Sequence, residues 1–164
     1  MYYRFGKTFY YFSILIFLFL LLYFYSAMSD QVLYSLSESA NGGEKIGKDL
    51  LFYGLIGVFM VLNAIAIFPA KALETKSHQK MHRIFPIGDP YRDYILTWFY
   101  SFGGVLNVSL GIMAFYFHAI NNQEGISASS FSVFFYLIPI LLVVWIVGLF
   151  VLFVGKAKQL KSGV

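Results

Sequence analysis

The chain contains 164 residues, of which 59% are hydrophobic, 21% aromatic and 12% charged, and its net charge is +4. Soluble domains carry about 25% charged residues, so this composition excludes an ordinary soluble globule. The chain has no cysteine, which excludes disulfide frameworks, thiolate zinc sites, iron–sulfur ligation and thiol redox catalysis.

Four apolar stretches follow one another along the chain, at about 8–27, 50–70, 94–120 and 131–154, and none contains Asp, Glu, Lys or Arg. A helix needs about 20 apolar residues to cross the hydrocarbon core, and backbone groups in lipid must form hydrogen bonds within their own segment. The sequence therefore predicts an all-α integral membrane protein. We expect a single domain over residues 1–164, in which four transmembrane helices form an antiparallel bundle.

The Lys and Arg residues predict the orientation. Ten of the 12 lie before the first span, between the second and third spans, or after the fourth, whereas only Lys45 and Lys48 lie on the other side. Because short flanks rich in Lys and Arg stay on the cytoplasmic side, both termini are predicted to be cytoplasmic. We expect the bacterial inner membrane, with the mitochondrial inner membrane as the alternative. This topology also accounts for the positive net charge, so no nucleic-acid partner is expected.

Small residues mark one face of the second span and one face of the third, each at a spacing of 3, 4 and 3 residues. Transmembrane helices associate where small residues allow their backbones to approach closely. The two stripes are therefore predicted to meet in an antiparallel helix pair. The predicted helix-packing residues are Gly54, Gly57, Val61, Ala64, Ser101, Gly104, Val108 and Gly111.

Two asparagines lie within the predicted hydrocarbon region. Asn63 and Asn107 each precede a stripe position by one residue, and Gly103 widens the stripe on the third span. An amide in lipid without a partner costs a few kcal/mol, so both amides should face protein. An interhelical hydrogen bond is the favoured interpretation, and a ligand contact is the alternative.

The histidines are the candidates for a metal site. If the segment 71–85 is helical, then Glu74, His78 and His82 share one face at i, i+4 and i+8. His118 stands alone near the outer end of the third span. A solvated basic segment is favoured for the first group, and an interfacial histidine for the second.

The same segment also carries basic side chains that can lie along anionic headgroups or dock an acidic partner. The predicted docking residues are Lys71, Lys76, Lys80 and Arg83.

The function is predicted by elimination. No Ser–His–Asp set, zinc-protease motif, phosphate loop or dinucleotide fingerprint occurs in the sequence. No span holds the carboxylate that a proton-coupled transporter ordinarily uses. The first and fourth spans carry large apolar side chains that suit lipid or a partner. We therefore expect no enzymatic activity and predict no cofactor.

The leading hypothesis is a non-catalytic integral subunit of a larger inner-membrane complex, such as a respiratory, energy-transducing or secretion/motor assembly. Its role would be scaffolding, assembly or lipid sealing. Its partners would be other integral membrane subunits and anionic lipids at the cytoplasmic face. The alternative is a small membrane module that binds or transports an apolar ligand, a lipid or a quinone, beside Asn63, Gly103 and Asn107.

Overall fold

The computed structural model of the chain describes residues 3–35, 44–75, 83–121 and 132–162. It is 87% helical, and four of its helices are long and apolar enough to cross a membrane. This part of the predicted fold is confirmed, and it indicates a membrane protein. In chain order the elements are α1 (Tyr3–Ala27), β1 (Gln31–Ser35), β2 (Glu44–Gly47), α2 (Lys48–Glu74), α3 (Pro90–Asn121) and α4 (Ser132–Ser162).

All four helices continue beyond their predicted apolar spans. α1 begins at Tyr3 and α3 at Pro90, before the predicted starts, whereas α2 and α4 end at Glu74 and Ser162, after the predicted ends. These additional turns carry the basic and acidic side chains that the spans lack. They lie at one end of the molecule, where Lys7 contacts Glu74, and we call the four extensions the charged end.

A short antiparallel hairpin connects α1 to α2. Its register runs from Gln31 opposite Gly47 to Ser35 opposite Glu44. The side chain of Val32 is completely buried, so the hairpin contributes to the apolar core. The all-α prediction did not include this hairpin.

The helix α3 is the centre of the structure. It packs against α1, α2 and α4, and its closest association is with α1. In the most apolar stretch of each helix, 61% of residues are buried in α3, 28% in α1, 11% in α2 and none in α4. The other helices are thus arranged around α3.

Close contact between α1 and α3 depends on glycine. A Cβ atom at Gly104 of α3 would overlap the ring of Phe9, and a Cβ at Gly6 of α1 would lie 2.9 Å from the carbonyl oxygen of Thr97. Gly111 also lies against α1. At Gly6 the missing side chain lets the two backbones approach closely, whereas at Gly104 and Gly111 it leaves room for side chains of α1.

This arrangement differs from the predicted pairing of the α2 and α3 stripes. In the described part of the chain, a Cβ atom at Gly54 or Gly57 would have no atom of another element within 4 Å, and Val61 and Ala64 are exposed as well. A small-residue stripe allows close approach but does not select the helix that approaches. Side chains of α1, such as Phe9 and Leu20, fill the space beside the glycines of α3. The helix α2 contacts α3 through a face other than its small-residue stripe.

The buried side chains form two apolar clusters. A layer of three polar side chains, Ser13, Asn63 and Asn107, separates them, and we call it the polar layer. The cluster beside the hairpin contains Phe17, Leu21, Phe24, Met28, Val32, Leu55, Leu110, Ala114, Phe117 and Ile120. The cluster beside the charged end contains Tyr10, Ala70, Leu73, Phe85, Ile95, Leu96 and Tyr100.

Candidate functional site

The polar layer joins three helices by hydrogen bonds. Asn63 Nδ2 donates to Asn107 Oδ1 at 2.8 Å, and Asn107 Nδ2 donates to Ser13 Oγ at 3.1 Å. Two bonds to backbone carbonyls complete the layer, from Asn63 Nδ2 to Phe59 at 2.8 Å and from Ser13 Oγ to Tyr10 at 2.7 Å. Each of α1, α2 and α3 therefore contributes one polar side chain to a shared network.

The two asparagines and Gly103 lie together but leave little space between the helices. The side chain of Asn107 is completely buried. A Cβ at Gly103 would lie 3.1 Å from atoms of Ile67 and Tyr10, so protein occupies the space that an apolar ligand would need beside it. The Asn63 Oδ1 atom is buried and has no hydrogen-bond partner among the described residues.

Two tryptophans connect α3 to α4. Trp98 Nε1 donates to the carbonyl oxygen of Trp145 at 2.7 Å, and Trp145 Nε1 donates to Ser101 Oγ at 2.9 Å. Ser101 Oγ in turn donates to the carbonyl oxygen of Trp98 at 3.1 Å. Both indole N–H groups therefore have acceptors between α3 and α4, and Ser101, predicted to face α2, faces α4 instead.

Glycines of α4 receive aromatic rings of α3. A Cβ at Gly155 would lie 2.8 Å from the hydroxyl of Tyr91, and a Cβ at Gly148 would lie 3.8 Å from Trp98 Nε1. Each pair is spaced by seven residues, so both contacts recur along one face of each antiparallel helix. These glycines were not among the predicted packing residues, although their spacing matches that of the two aromatic residues.

A buried ion pair anchors the end of α4. Lys156 Nζ contacts Asp89 Oδ2, and the two side chains are only 7% and 5% exposed. The Lys156 ammonium also lies 5.7 Å from the ring centre of Tyr91 and 5.8 Å from that of Phe85, and it donates to Gln159 Oε1 at 2.8 Å. Because a buried charge is costly without partners, this cage fixes Lys156 against the start of α3.

The predicted Glu74 metal ligand is engaged by lysines. Lys7 Nζ lies 3.0 Å and Lys71 Nζ 3.4 Å from its carboxylate oxygens. No group of three metal-ligating side chains occurs in the part of the chain that the structure describes. The other two members of the predicted line, His78 and His82, lie outside the described residues.

The other predicted site residues are dispersed. The imidazole of His118 stacks on the ring of Phe24, with ring centres 4.6 Å apart and planes inclined by 19°. Arg83 is exposed. The predicted docking residues Lys76 and Lys80 lie outside the described residues.

An amide clamp holds the hairpin on α3. Asn121 Oδ1 accepts the Leu33 N–H at 2.7 Å, and Asn121 Nδ2 donates to the Leu33 carbonyl oxygen at 3.0 Å. Lys48 forms an ion pair with Asp30 at 2.7 Å, and hydrogen bonding and charge from Lys48 lower the pKa of Asp30 below its usual 3.8. This clamp could not be predicted, because nothing in the local sequence relates Asn121 to Leu33, 88 residues away.

The small-residue stripe of α2 faces outward. Its four members, Gly54, Gly57, Val61 and Ala64, are all exposed. The stripe is continuous over three turns, and we call it the outer stripe. It differs from the glycines of α3 and α4, which lie against side chains of this chain.

Four helices long and apolar enough to cross a membrane indicate a membrane protein, and polar and small residues join these helices. No known family model, curated protein or solved structure matches the chain.

Proposed function

We propose that this chain is a non-catalytic integral subunit of a larger inner-membrane complex, with a role in scaffolding, assembly or lipid sealing. The observation that carries the proposal is the outer stripe. Small residues on a transmembrane helix favour association with another helix, and within the described residues no helix of this chain covers Gly54 or Gly57. The proposed occupant is a helix of another subunit.

The use of the interior polar groups also supports a structural role. Ser13, Asn63 and Asn107 bond to one another, and Glu74 is neutralised by two lysines. These side chains join helices. The alternative of an apolar-ligand module has less support, because Ile67 and Tyr10 fill the space at Gly103.

The proposed orientation places the charged end in the cytoplasm. Ten of the 12 Lys and Arg residues belong to that side, and such asymmetry sets the topology of short loops. We propose the bacterial inner membrane, or the mitochondrial inner membrane with the charged end in the matrix. Lys71 and Arg83 would then meet anionic lipids.

The test is the native mass of the protein extracted from its own membrane in a mild detergent, with co-purifying chains identified. We expect a particle much larger than the 18.7 kDa chain with stoichiometric partners. The variant Gly57→Leu should release the chain from it, because a Cβ at this position has no described atom of another element within 4 Å, whereas the leucine side chain would collide with a partner helix.

The matched control is Val58→Leu, which enlarges the next exposed side chain by one methylene and should leave the particle intact. A wild-type particle of one or two copies of this chain alone would contradict the proposal. If the wild type and Gly57→Leu assembled equally well, the outer stripe would not be the contact with the partner.

A further inference from the structure

An apolar groove runs along the outer surface of α4 towards the charged end. It has a volume of about 420 Å³ and is lined by Val147, Phe150, Val151, Val154, Gly155 and Lys158. Five of these six residues are apolar or glycine, and the only charged group stands at one end. The groove is separate from the outer stripe, which belongs to α2.

The length of the groove matches one leaflet of a bilayer. At 1.5 Å per residue, the helix rises about 16 Å from Val147 to Lys158. Half of the hydrocarbon core is about 15 Å. An acyl chain lying along Val147, Val151 and Val154 would therefore reach the headgroup region at the level of Lys158.

The two lysines near this end of α4 have different environments. Lys156 is buried in its ion pair with Asp89, so its charge is compensated within the protein. Lys158 lines the groove, is exposed, and forms no ion pair within the described part of the chain. Its ammonium is therefore available to a phosphate at the mouth of the groove.

We infer that this groove binds one anionic phospholipid, with an acyl chain along Val147–Val154 and the headgroup phosphate at Lys158. Apolar burial alone does not hold a lipid in a bilayer, because the surrounding lipid is equally apolar. The charge of Lys158 supplies the preference, since basic residues at the membrane surface attract anionic headgroups. This site goes beyond the proposed subunit role and does not depend on the identity of any partner.

The test uses the full chain reconstituted in phosphatidylcholine vesicles that contain increasing fractions of phosphatidylglycerol with brominated acyl chains. Bromine quenches nearby tryptophan; Trp98 lies beside Gly148, the residue after Val147 of the groove, and Trp145 contacts Trp98, so both tryptophans report on lipid at this part of α4. We expect quenching to reach half its maximum at a fraction about fivefold lower than with brominated phosphatidylcholine, the preference typical of one basic residue at a membrane surface.

Two variants separate a site from general surface charge. Lys158→Gln should abolish the preference for phosphatidylglycerol. Lys161→Gln, which removes the same charge one turn beyond the groove, should retain it. Val151→Phe should reduce quenching by both lipids, because the larger ring fills the groove.

Three outcomes would overturn the inference. They are equal quenching of the wild type by both lipids, equal losses in Lys158→Gln and Lys161→Gln, and unchanged quenching in Val151→Phe. The assembly measured with Gly57→Leu is a separate readout, so failure of the lipid site and failure of the subunit proposal are distinguishable.

Discussion

The helices α3 and α4 differ more than any other two in their surroundings. α3 has the lowest mean hydropathy of the four and the largest buried share, whereas α4 has the highest and none of its most apolar stretch is buried. The order of mean hydropathy, from α4 through α2 and α1 to α3, is the reverse of the order of burial. In lipid, apolar surface brings helices together only weakly, so the most apolar helix is the one left facing outward.

This contrast shows which residues hold the structure together. α3 contacts its neighbours through glycines, Asn107 and Ser101. Polar contacts hold α4 at two places, the tryptophan contacts in its middle and the Lys156–Asp89 pair near its end. The following changes test whether these polar and small residues, rather than apolar packing, fix the helices.

The largest expected effect is at the end of α4. Lys156→Met leaves the Asp89 carboxylate buried without its cation, which typically costs about 3–5 kcal/mol. We expect the end of α4 to separate from α3. Since the chain has no cysteine, a single Leu152→Cys background allows thiol labelling to measure this separation, with Lys161→Met as the matched control. Equal labelling rates in both variants would mean that apolar contacts alone hold α4.

A large effect is also expected where α1 meets α3. Gly104→Leu forces a side chain into the space of the Phe9 ring, and overpacking of this kind typically costs about 1–3 kcal/mol. This loss in the free energy of unfolding can be measured by a mixed-detergent titration in which circular dichroism follows the helix content. Gly57→Leu is the control, because it adds the same side chain at an open position of α2. Similar losses in both variants would contradict the assigned helix contacts.

A smaller effect is expected in the polar layer. Asn107→Leu removes the bonds to Ser13 and Asn63, and hydrogen bonds between transmembrane helices contribute about 0.6–2 kcal/mol each. Ser13→Ala removes only one of them and should cost less. The same unfolding titration measures both variants and the double variant. If the losses in the free energy of unfolding of the two single variants added up to that of the double variant, Ser13 and Asn107 would not be coupled.

The smallest effect concerns pH at the hairpin. Because Lys48 lowers the pKa of Asp30 in the folded protein, the ion pair stabilises the hairpin above the usual pKa of 3.8 and loses this contribution as the pH falls through the lower folded value. Hydrogen exchange of the hairpin amides should therefore accelerate only below about pH 4. Asp30→Asn should abolish this dependence, and an unchanged pH profile in that variant would assign it to another group.

The number of helices could be predicted because it depends on local composition. Each span is a long run without charge, and lipid leaves such a run no structure but a helix. The extensions at the charged end were missed in part, because the apolar run ends before the helix does. Glu74, for example, is helical and lies beyond the predicted end of the second span.

The choice of neighbours could not be predicted in the same way. The stripes on α2 and α3 have equal spacing, yet only that of α3 lies against side chains of this chain. The choice of neighbour depends on side-chain shapes that the spacing does not specify, such as the Phe9 ring beside Gly104.

The hairpin was not predicted because its attachment joins Leu33 to Asn121, 88 residues apart. By contrast, the seven-residue spacing of Gly148 and Gly155 was available in the sequence.

The most direct test of the account compares what touches the outer stripe with what touches α4 in the native membrane. A photoreactive diazirine side chain is introduced at Val61 of the outer stripe or at Val151 of α4, two valines of similar exposure (57% and 64%). The account predicts cross-links to another protein chain from position 61 and to lipid from position 151. Lipid adducts alone from position 61 would contradict the claim that the outer stripe is a subunit contact.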